Sequence, residues 1–297
     1  MSAPASFRLE MLQVARLAPK LLGESSELVA AFLRSQLSDE GGFVDREGRA
    51  DFYYTVFGVE AMLALQLELP RERLSAFLRK GKADQLDFVH LCSMARAAAG
   101  VDGEIFSSAE KSAIASRLQE YRTADGGFHG APGKARGSAY GALLAWGAHT
   151  DLGMTLPEPE RLLNSLLALQ LPDGSFANEP GITEGSTTAT GAAVTLCRFL
   201  GHKLNAATGE WLLRQIHPSG GFLATPRAPL PDLLSTAVAL HALDSMEVSY
   251  AGARESCLDF VDSLWSAEGG FHGHWADDHL DCEYTYYGLL ALGHLTL

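Results

Sequence analysis

The sequence has few cysteines, and their placement excludes two kinds of structural site. It holds four in 297 residues, and no two of them form a Cys-x-x-Cys pair. Four scattered cysteines in a chain of this length are too sparse for a disulfide framework, and a zinc ribbon needs Cys-x-x-Cys pairs, so neither is indicated. We expect most of these side chains to be small buried hydrophobic groups. The four are Cys92, Cys197, Cys257 and Cys282.

Positive charge is also scarce. Lys and Arg total 23 against 36 Asp and Glu, which gives a formal net charge of −13 at pH 7. No run of basic residues offsets this charge, so the chain would repel a nucleic-acid backbone and an anionic membrane surface. We therefore predict that nucleic acid is not among its partners.

Long apolar runs are absent as well, although 47% of the residues are hydrophobic. No window reaches the length of a transmembrane helix, and residues 1–23 lack the basic start and continuous apolar stretch of a signal peptide. These features predict a cytoplasmic protein that is not integral to a membrane. The apolar content is still enough to bury a large core, which argues against disorder.

What the chain does contain is a repeated turn made of Gly, Gly or Ser, and Phe. Successive first glycines lie 85, 48, 46 and 49 residues apart, and the first interval is two periods with one turn lost. Six units of about 47 residues account for the chain, a period typical of stacked supersecondary units. The five turns are Gly41-Gly42-Phe43, Gly126-Gly127-Phe128, Gly174-Ser175-Phe176, Gly220-Gly221-Phe222 and Gly269-Gly270-Phe271.

An amphipathic segment precedes each turn, and a segment that is apolar or small nearly all round follows it, such as residues 187–196. A helix with one polar face lies at a surface, whereas a helix that is apolar all round is buried. We predict an all-α, (α/α)6 barrel of six helical hairpins with inner and outer helix layers. It forms one domain over residues 1–297, with an N-terminal helical extension at 1–25. The predicted outer helices include 26–37, 110–122, 158–170, 205–216 and 253–265.

The Gly-Gly-Phe turns followed by Asp-led buried helices resemble the α/α-toroid family of protein prenyltransferase β subunits and terpenoid cyclases. The resemblance covers almost the whole chain. It is greatest over residues 220–232 and 269–292, which look like the last two repeats of geranylgeranyltransferase β subunits. Membership of this family implies a toroid with a central cavity that binds an isoprenoid.

The zinc ligands of the prenyltransferases are incomplete here. Those enzymes hold zinc through an Asp-x-Cys and an Asp-x-x-His at the starts of the fifth and sixth inner helices. Asp232 is kept, but Leu234 and Tyr284 stand where the Cys and the His would be. Among the diphosphate-binding basic residues, Arg227 lies one position off and Pro229 occupies the lysine place. Protein-thiol prenylation needs zinc to form the thiolate, so the resemblance implies that this chain does not perform it.

An Asp or Ser stands at the start of each of five predicted inner helices. Both side chains accept hydrogen bonds from the free N–H groups of a first helical turn, so one interpretation is helix capping. The other interpretation is functional. Once the ring closes, the three Asp residues belong to consecutive units and form one acidic wall at the cavity mouth, opposite the serines. The positions are Asp51, Ser138, Ser186, Asp232 and Asp281.

Class II terpenoid cyclases protonate their substrates with an Asp-x-Asp-Asp-Thr motif at the start of an inner helix, and the sixth unit partly matches it. Aligning the threonines puts Asp281 on the first Asp, Glu283 on the central acid and Tyr284 on the next Asp. A carboxyl group that is crowded by carboxylates and partly desolvated keeps its proton to higher pH, as an acid catalyst must. We predict that Glu283 is the acid and that Asp281 modulates or orients it. Asp51 and Asp232 complete the predicted catalytic set.

Aromatic side chains on the buried segments form the predicted substrate pocket. Such rings can line an apolar cavity and stabilise carbocations through their faces. The alternative is that they are plain core. The predicted substrate-binding residues are Tyr53, Tyr54, Phe57, Tyr140, Tyr284, Tyr286 and Arg227.

Histidines and acidic residues are dense between His272 and Cys282, where they could hold a divalent cation. No standard ligand spacing occurs there, so we expect a solvated acidic loop and no firmly implied cofactor. Were Mg²⁺ or Zn²⁺ bound, its ligands would come from Asp232, Asp281, Cys282 and His279. In the second unit, which has lost its turn, we interpret His90 as a core histidine.

Three functions stay open at this stage. The leading hypothesis is an isoprenoid-handling enzyme that binds an apolar substrate in the cavity and transforms it by acid-initiated, cyclase-like carbocation chemistry. One alternative is a zinc-less prenyltransferase β-like subunit that binds a prenyl diphosphate and a helical α-subunit-like partner. Another is a non-enzymatic toroid that acts as a binding or scaffold module, since a fold does not fix a function. A filled cavity without an acidic mouth would favour the last.

Overall fold

The computed structural model describes residues 6–297, and helices make up most of that part of the chain. None of the helices described there is long and apolar enough to cross a bilayer. A two-stranded antiparallel sheet pairs β1 (Phe222–Leu223) with β2 (Pro231–Asp232). The α-helices are α1 (Phe7–Ala15), α2 (Pro19–Leu22), α3 (Ser26–Ser35), α4 (Phe52–Ala64), α5 (Arg71–Leu78), α6 (Phe88–Val101), α7 (Ser108–Gln119), α8 (Ala139–Asp151), α9 (Pro159–Leu167), α10 (Thr187–Phe199), α11 (Ala206–Leu213), α12 (Leu233–Ser245), α13 (Arg254–Ser263) and α14 (Cys282–Thr296).

The even-numbered helices from α4 to α14 form a closed ring. Each packs against the next even-numbered helix, and α14 returns to α4. The odd-numbered helices from α3 to α13 alternate with them along the chain and form the outer layer. This arrangement confirms the predicted (α/α)6 toroid. The unit that lost its Gly-Phe turn still supplies a hairpin, made of α5 and α6.

Burial separates the two layers. Ten of the thirteen residues of α10 are buried, and they are mostly small or β-branched. In contrast, α9 buries three of its nine residues. An inner helix has a ring neighbour on each side and an outer helix behind it, so it can present almost no polar face. The hydrophobic pattern of each helical segment therefore indicates whether the helix belongs to the inner or the outer layer.

The first glycine of each turn is required by backbone conformation and by space. Gly220 has a φ of +85°, a region in which other residues are strained. A Cβ atom added there would lie 1.8 Å from the carbonyl oxygen of Ser256 on α13. At each of the other first glycines, an added Cβ atom would likewise overlap with the outer helix of the next unit. The last of them, Gly269, meets the backbone of Leu28 on α3, so this turn closes the ring.

The phenylalanine of each turn fills the core, and in four units its backbone is fixed by a threonine. All five rings are at most 1% exposed. The threonine is the fourth residue of the following inner helix, and its Oγ1 accepts a hydrogen bond from the Phe N–H. The pairs are Phe43 with Thr55 (2.9 Å), Phe176 with Thr190 (3.0 Å), Phe222 with Thr236 (2.9 Å) and Phe271 with Thr285 (3.4 Å).

Helix α1 covers one end of the ring, where the inner helices finish. Arg8 Nε donates to Asp151 Oδ1 at 3.1 Å, on the last residue of α8, and Arg8 Nη1 lies 3.4 Å from Glu60 Oε1 on α4. All three side chains are at least nine-tenths buried, so these charges need one another as partners. Burial raises the pKa of Asp151 to about 6, although Arg8 opposes the shift. With this end covered, the ring opens at the N-terminal ends of the inner helices.

Replacing Gly220 with alanine should destabilise the ring at one of its docking points. A left-handed backbone costs an alanine roughly 1–2 kcal/mol, and relieving an overlap with packed backbone costs roughly 1–3 kcal/mol more. We expect urea titration to show the free energy of unfolding reduced by about 2–5 kcal/mol.

The matched control is Gly201→Ala. Gly201 also has a positive φ of +70°, but nothing lies within 4 Å of an added Cβ atom. This variant should lose roughly 1–2 kcal/mol, from the backbone alone. Equal losses in the two variants would contradict the role given to turn docking.

Candidate active site

A cavity of about 370 Å³ lies inside the ring of inner helices. A smaller compartment of about 100 Å³ adjoins it on the side of α6 and α8, and the two share seven lining residues, Tyr53 and Tyr140 among them. Phe7 and Met11 of α1 line both compartments. The cavity is therefore open rather than filled by side chains, and α1 forms part of its wall.

The wall of the larger compartment is mainly apolar. Among the described lining residues, Glu283 supplies the one carboxyl group, and the other polar groups belong to Asn178, three threonine or histidine side chains and the phenols. An apolar cavity with a few convergent polar groups is the usual form of a small-molecule site. The lining residues are Phe7, Met11, Tyr53, Tyr140, Leu143, Asn178, Thr188, Ala189, Gly191, Ala192, Thr195, Leu234, Val238, His241, Glu283 and Tyr287.

Glu283 is held by a phenol from the neighbouring inner helix. The Tyr53 hydroxyl on α4 donates to Glu283 Oε1 on α14 at 2.5 Å. The ring packing of α14 against α4 brings these residues together, although 230 positions separate them in the sequence. The contact fixes one carboxyl oxygen at the cavity wall.

Burial raises the pKa of Glu283 to about 7. The Tyr53 hydrogen bond acts in the opposite direction because it stabilises the carboxylate, and the negative charge of Asp281 raises the pKa further. A raised pKa means that the proton is present below pH 7 and is lost as the pH rises through that value. Near neutral pH, a substantial fraction of Glu283 is thus a neutral acid facing an apolar cavity.

Asp281 does not face the cavity, because Arg46 binds it. Arg46 Nε donates to Asp281 Oδ2 at 2.8 Å, and Arg46 Nη2 donates to Asp277 Oδ2 at 2.9 Å. The Arg46 guanidinium also lies over the ring of Tyr284, 5.5 Å from its centroid. Burial still raises the pKa of Asp281 despite these bonds. Asp281 therefore influences Glu283 through charge and through the start of α14, which it caps.

His90 is not a core residue, so that prediction was wrong. Its Nε2 lies 3.0 Å from Asp51 Oδ2 and its Nδ1 lies 2.9 Å from Asp87 Oδ2, and about a third of its side chain is exposed. The hydrogen bond to Asp51 is the main cause that raises the pKa of His90 to about 9. Two carboxylates thus hold this histidine at the rim, in the first turn of α6.

All six inner helices begin with a side-chain cap. Asp51, for example, accepts from the Tyr54 N–H at 3.0 Å, and Asp232 accepts from both the N–H and the hydroxyl of Ser235 at 2.7 Å. Burial raises the pKa of Asp232. The three predicted acidic residues thus share one rim as caps, but none of them lines the cavity. The caps are Asp51, Asp87, Ser138, Ser186, Asp232 and Asp281.

The predicted substrate-binding residues divide into two groups. Tyr53 and Tyr140 line both compartments, and Phe57 lines the smaller one. The others lie outside: Tyr286 is fully buried in the core, and the Arg227 side chain is 85% exposed and pairs with Glu184. Tyr54 and Tyr284 stand at the rim beside Arg46 and do not line either compartment.

The four residues named for a cation do not converge. Cys282 is fully buried, and His279 is exposed beside Asp277, while Asp281 is bound to Arg46. Across the described part of the chain, no three His, Cys, Asp or Glu side chains are arranged to hold a metal ion. Asp232 and Asp281 are helix caps, Cys282 is a core residue and His279 lies in a surface loop.

Sequence reasoning missed three residues of this site. Tyr287 follows Glu283 by four positions on α14, a spacing that puts both on one helix face, so a signal was available. His241 is a polar residue on the otherwise apolar α12, which is a weaker signal. Arg46 contacts Asp281 across 235 positions, and no local pattern indicates that contact.

The sequence and the fold together identify the family of the chain. The chain belongs to the prenyltransferase alpha-alpha toroid domain family, whose model matches residues 20–92, 81–208 and 202–296. Together these matches cover nearly the whole chain.

Two solved structures share the fold at low sequence identity. One is a variant of the type II terpene cyclase MstE from Scytonema in complex with its substrate, geranylgeranyl dihydroxybenzoate. It is 14% identical with a TM-score of 0.63, covering 94% of this chain and 97% of that one. The other is protein geranylgeranyltransferase-I from Candida albicans complexed with GGPP. It is 14% identical with a TM-score of 0.57, covering 98% of this chain and 84% of that one.

A curated relative matches part of the sequence. Drimenyl diphosphate synthase from Streptantibioticus cattleyicolor is 33% identical over 93 residues, which are 30% of this chain. The match spans 18% of that enzyme's length.

Tyr53→Phe should raise the pKa of Glu283. The substitution removes the hydroxyl group that stabilises the carboxylate, and a hydrogen bond to a charged group contributes about 1.5–3 kcal/mol. We expect Glu283 in the variant to titrate about one pH unit or more above the wild type. Carbon-13 NMR of the labelled Glu283 carboxyl group measures this directly.

Tyr54→Phe is the control, because Tyr54 is adjacent in sequence and its hydroxyl does not bond to Glu283. Its Glu283 titration should stay close to that of the wild type. If Tyr53→Phe left the Glu283 titration unchanged, the hydrogen bond would not act as described.

Proposed function

We propose that the protein is an isoprenoid-handling enzyme that cyclises an apolar polyprenyl substrate by acid-initiated carbocation chemistry. The observation that carries the proposal is Glu283 on the wall of an open apolar cavity, with a pKa raised to about 7, so that its carboxyl group keeps its proton below that pH. Protonating an alkene requires an acid that keeps its proton while buried next to hydrocarbon. Glu283 has both properties: a raised pKa and a position on the wall of the apolar cavity.

The surroundings of Glu283 suit the charge that the reaction creates. Proton transfer forms a C–H bond from the alkene π electrons, leaves a cationic carbon, and makes Glu283 a carboxylate. The Tyr53 hydroxyl stabilises that carboxylate through its hydrogen bond. Tyr140 and Tyr287 line the cavity, where aromatic rings can stabilise a cation and exclude water.

The relatives support the same chemistry. A type II terpene cyclase that binds a geranylgeranyl compound shares the toroid, and a drimenyl diphosphate synthase shares part of the sequence. By analogy with these two proteins, the substrate is a prenyl chain long enough to form one or more rings, with or without a diphosphate group.

The two other hypotheses have less support. A zinc-less prenyltransferase-like subunit needs cations for a diphosphate, but Arg227 pairs with Glu184 outside the cavity and Arg46 is bound by two carboxylates. A purely structural ring does not need an open cavity with an acidic group in its wall. A helical partner stays a prediction.

Glu283→Gln should abolish cyclisation. Glutamine has nearly the same shape but no transferable proton, and a positioned general acid contributes about 10²–10⁴-fold to a rate. The wild type and the variant are incubated with prenyl diphosphates of different lengths and with geranylgeranyl dihydroxybenzoate, and products are identified by mass spectrometry. We expect turnover to fall at least about 100-fold.

Glu184→Gln is the matched control, since Glu184 lies at the same rim but does not line the cavity. Its turnover should stay near that of the wild type, and all three proteins should have similar melting temperatures. Undiminished cyclisation by Glu283→Gln would refute Glu283 as the acid. Failure of the wild type to cyclise any of these substrates would refute the proposed function.

The pH dependence of turnover should report the same group. Since Glu283 is active when protonated and its pKa is about 7, turnover should be highest below pH 7 and fall as the pH rises through it. In Tyr53→Phe, this fall should occur at higher pH. A rate that increased above pH 7 would show that the active form is the carboxylate.

A further inference from the structure

The smaller compartment of the cavity contains a charge that the proposed protonation step does not use. Arg96 of α6 lines this compartment, although most of the other lining residues are apolar. A cation next to hydrocarbon is unfavourable unless other groups compensate for it. The position of Arg96 therefore needs a reason beyond the binding of a hydrocarbon chain.

Arg96 belongs to a buried charge cluster at the covered end of the ring. Its Nε lies 3.8 Å from Glu60 Oε1. Arg8 links the same Glu60 carboxyl group to Asp151. Two guanidinium groups thus face two carboxyl groups, and the cluster is electrically balanced when both carboxyl groups are ionised. Burial by itself lowers the pKa of Arg96, but the neighbouring negative charges, that of Glu60 above all, raise it above its usual value. Arg96 is therefore charged.

The guanidinium group of Arg96 keeps one nitrogen atom for a ligand. Its Nε and Nη2 are enclosed by protein and form no hydrogen bond with any described residue. Nη1 forms none either, but this atom is not enclosed. The Arg96 side chain is 17% exposed, on the compartment that it lines. Nη1 is therefore a hydrogen-bond donor that a ligand in the compartment can reach.

A serine one helical turn earlier adds a second polar group. Ser93 also lines the smaller compartment, and a separation of three residues puts it on the same face of α6 as Arg96. Ser93 is 6% exposed, and its hydroxyl group, which no described residue binds, is not enclosed either. A hydroxyl group can donate and accept, whereas a guanidinium group only donates. The pair is therefore suited to a ligand group that also donates and accepts.

We propose that the smaller compartment binds a hydroxyl group at the end of the prenyl substrate, through Arg96 Nη1 and Ser93 Oγ. The inference rests on the proposed function, which supplies the prenyl chain. The oxygen of the substrate hydroxyl group accepts from Nη1, and its hydrogen is donated to Ser93 Oγ. The chain extends from there through the larger compartment to Glu283. The hydroxyl group belongs either to a prenyl alcohol or to a prenylated phenol.

The depth of this subsite suits the position of the acid. Arg96 is the ninth residue of α6 and Glu283 is the second residue of α14, and both helices begin at the rim. Arg96 therefore lies about 10 Å deeper than Glu283 along the helix axes. A chain held at its hydroxyl end presents the alkene of its other end to Glu283. The first cation then forms away from the guanidinium group, which would repel it.

The charge balance of the cluster favours a hydroxyl group over a diphosphate. Two cations and two carboxylates leave no net positive charge, so the several negative charges of a buried diphosphate would lack compensation. Burial raises the pKa of Asp151 to about 6, so Asp151 is ionised and this balance holds above pH 7. A neutral hydroxyl group needs only the two hydrogen bonds.

Ligand binding by the inactive Glu283→Gln protein tests the subsite without turnover. Displacement of a fluorescent apolar probe, above pH 7, gives the affinity for four compounds with one prenyl chain: farnesol, farnesyl hydroquinone, farnesyl diphosphate and the hydrocarbon that lacks the hydroxyl group. We expect the better of the two hydroxyl compounds to bind about tenfold or more tightly than the hydrocarbon, because one hydrogen bond involves a charged group. It should also bind more tightly than the diphosphate. The better binder identifies the source of the hydroxyl group.

Arg96→Lys and Ser93→Ala, made in the same protein, should reduce this preference. Lysine keeps the charge balance but has no planar group to place a donor at the Nη1 position, and we expect the preference to fall about fivefold or more. Ser93→Ala removes one uncharged hydrogen bond and should reduce the preference about two- to tenfold. Affinity for the hydrocarbon should stay near that of the parent protein in both variants.

Ser165→Ala is the matched control. Ser165 is also 6% exposed, but it lies on the outer helix α9 and does not line either compartment. This variant should keep the full preference for the hydroxyl compound.

The outcomes separate the subsite from the proposed function. If neither hydroxyl compound binds more tightly than the hydrocarbon, or if the preference survives both Arg96→Lys and Ser93→Ala, the subsite assignment is wrong. Tighter binding of the diphosphate would also overturn it. The proposed function is refuted separately, by a wild type that forms no cyclised product, and in that case a preference lost in both variants still supports the subsite.

Discussion

The docking of each Gly-Phe turn onto the next outer helix is the contact on which the rest of the structure depends. A helical hairpin cannot bury both layers of its apolar surface alone, so each unit relies on its neighbours. Gly220 on Ser256 and Gly269 on Leu28 are two such contacts, and the second joins the last turn to the first outer helix. Ring closure then brings α14 beside α4. Without it, Tyr53 and Glu283 would not meet.

The site arises where chemically different residues occupy equivalent positions in the ring. Every inner helix begins with a capping residue, and both Asp and Ser can fill this role, so the capping residue differs in charge from one unit to another. In the sixth unit, Arg46 binds the cap Asp281 and the loop residue Asp277. These carboxylates are thereby neutralised outside the cavity. Glu283 keeps a phenol as its partner instead of a cation, which leaves its pKa high enough for it to hold a proton near pH 7.

The polar groups of the cavity follow one physical rule. A charge is unfavourable next to hydrocarbon, so burial shifts the pKa of each titratable group that faces the cavity in the direction that favours its neutral form. Burial raises the pKa of Glu283 to about 7 and lowers that of His241 to about 3, so His241 is neutral at pH 7 and Glu283 is neutral below it.

The sequence by itself determined the periodic part of this protein. Turn spacing and hydrophobic pattern are local properties, so they predicted the hairpins, the two layers and the closed ring, and the residues at the helix starts indicated caps. Glu283 could be predicted as the candidate acid because its motif is also local. Only the tertiary structure decided that Arg46 binds Asp281, that His90 joins Asp51 at the rim, and that His241 connects through His294 to Asp244. These contacts join side chains from different units, and their geometry depends on how the ring closes, which no local pattern records.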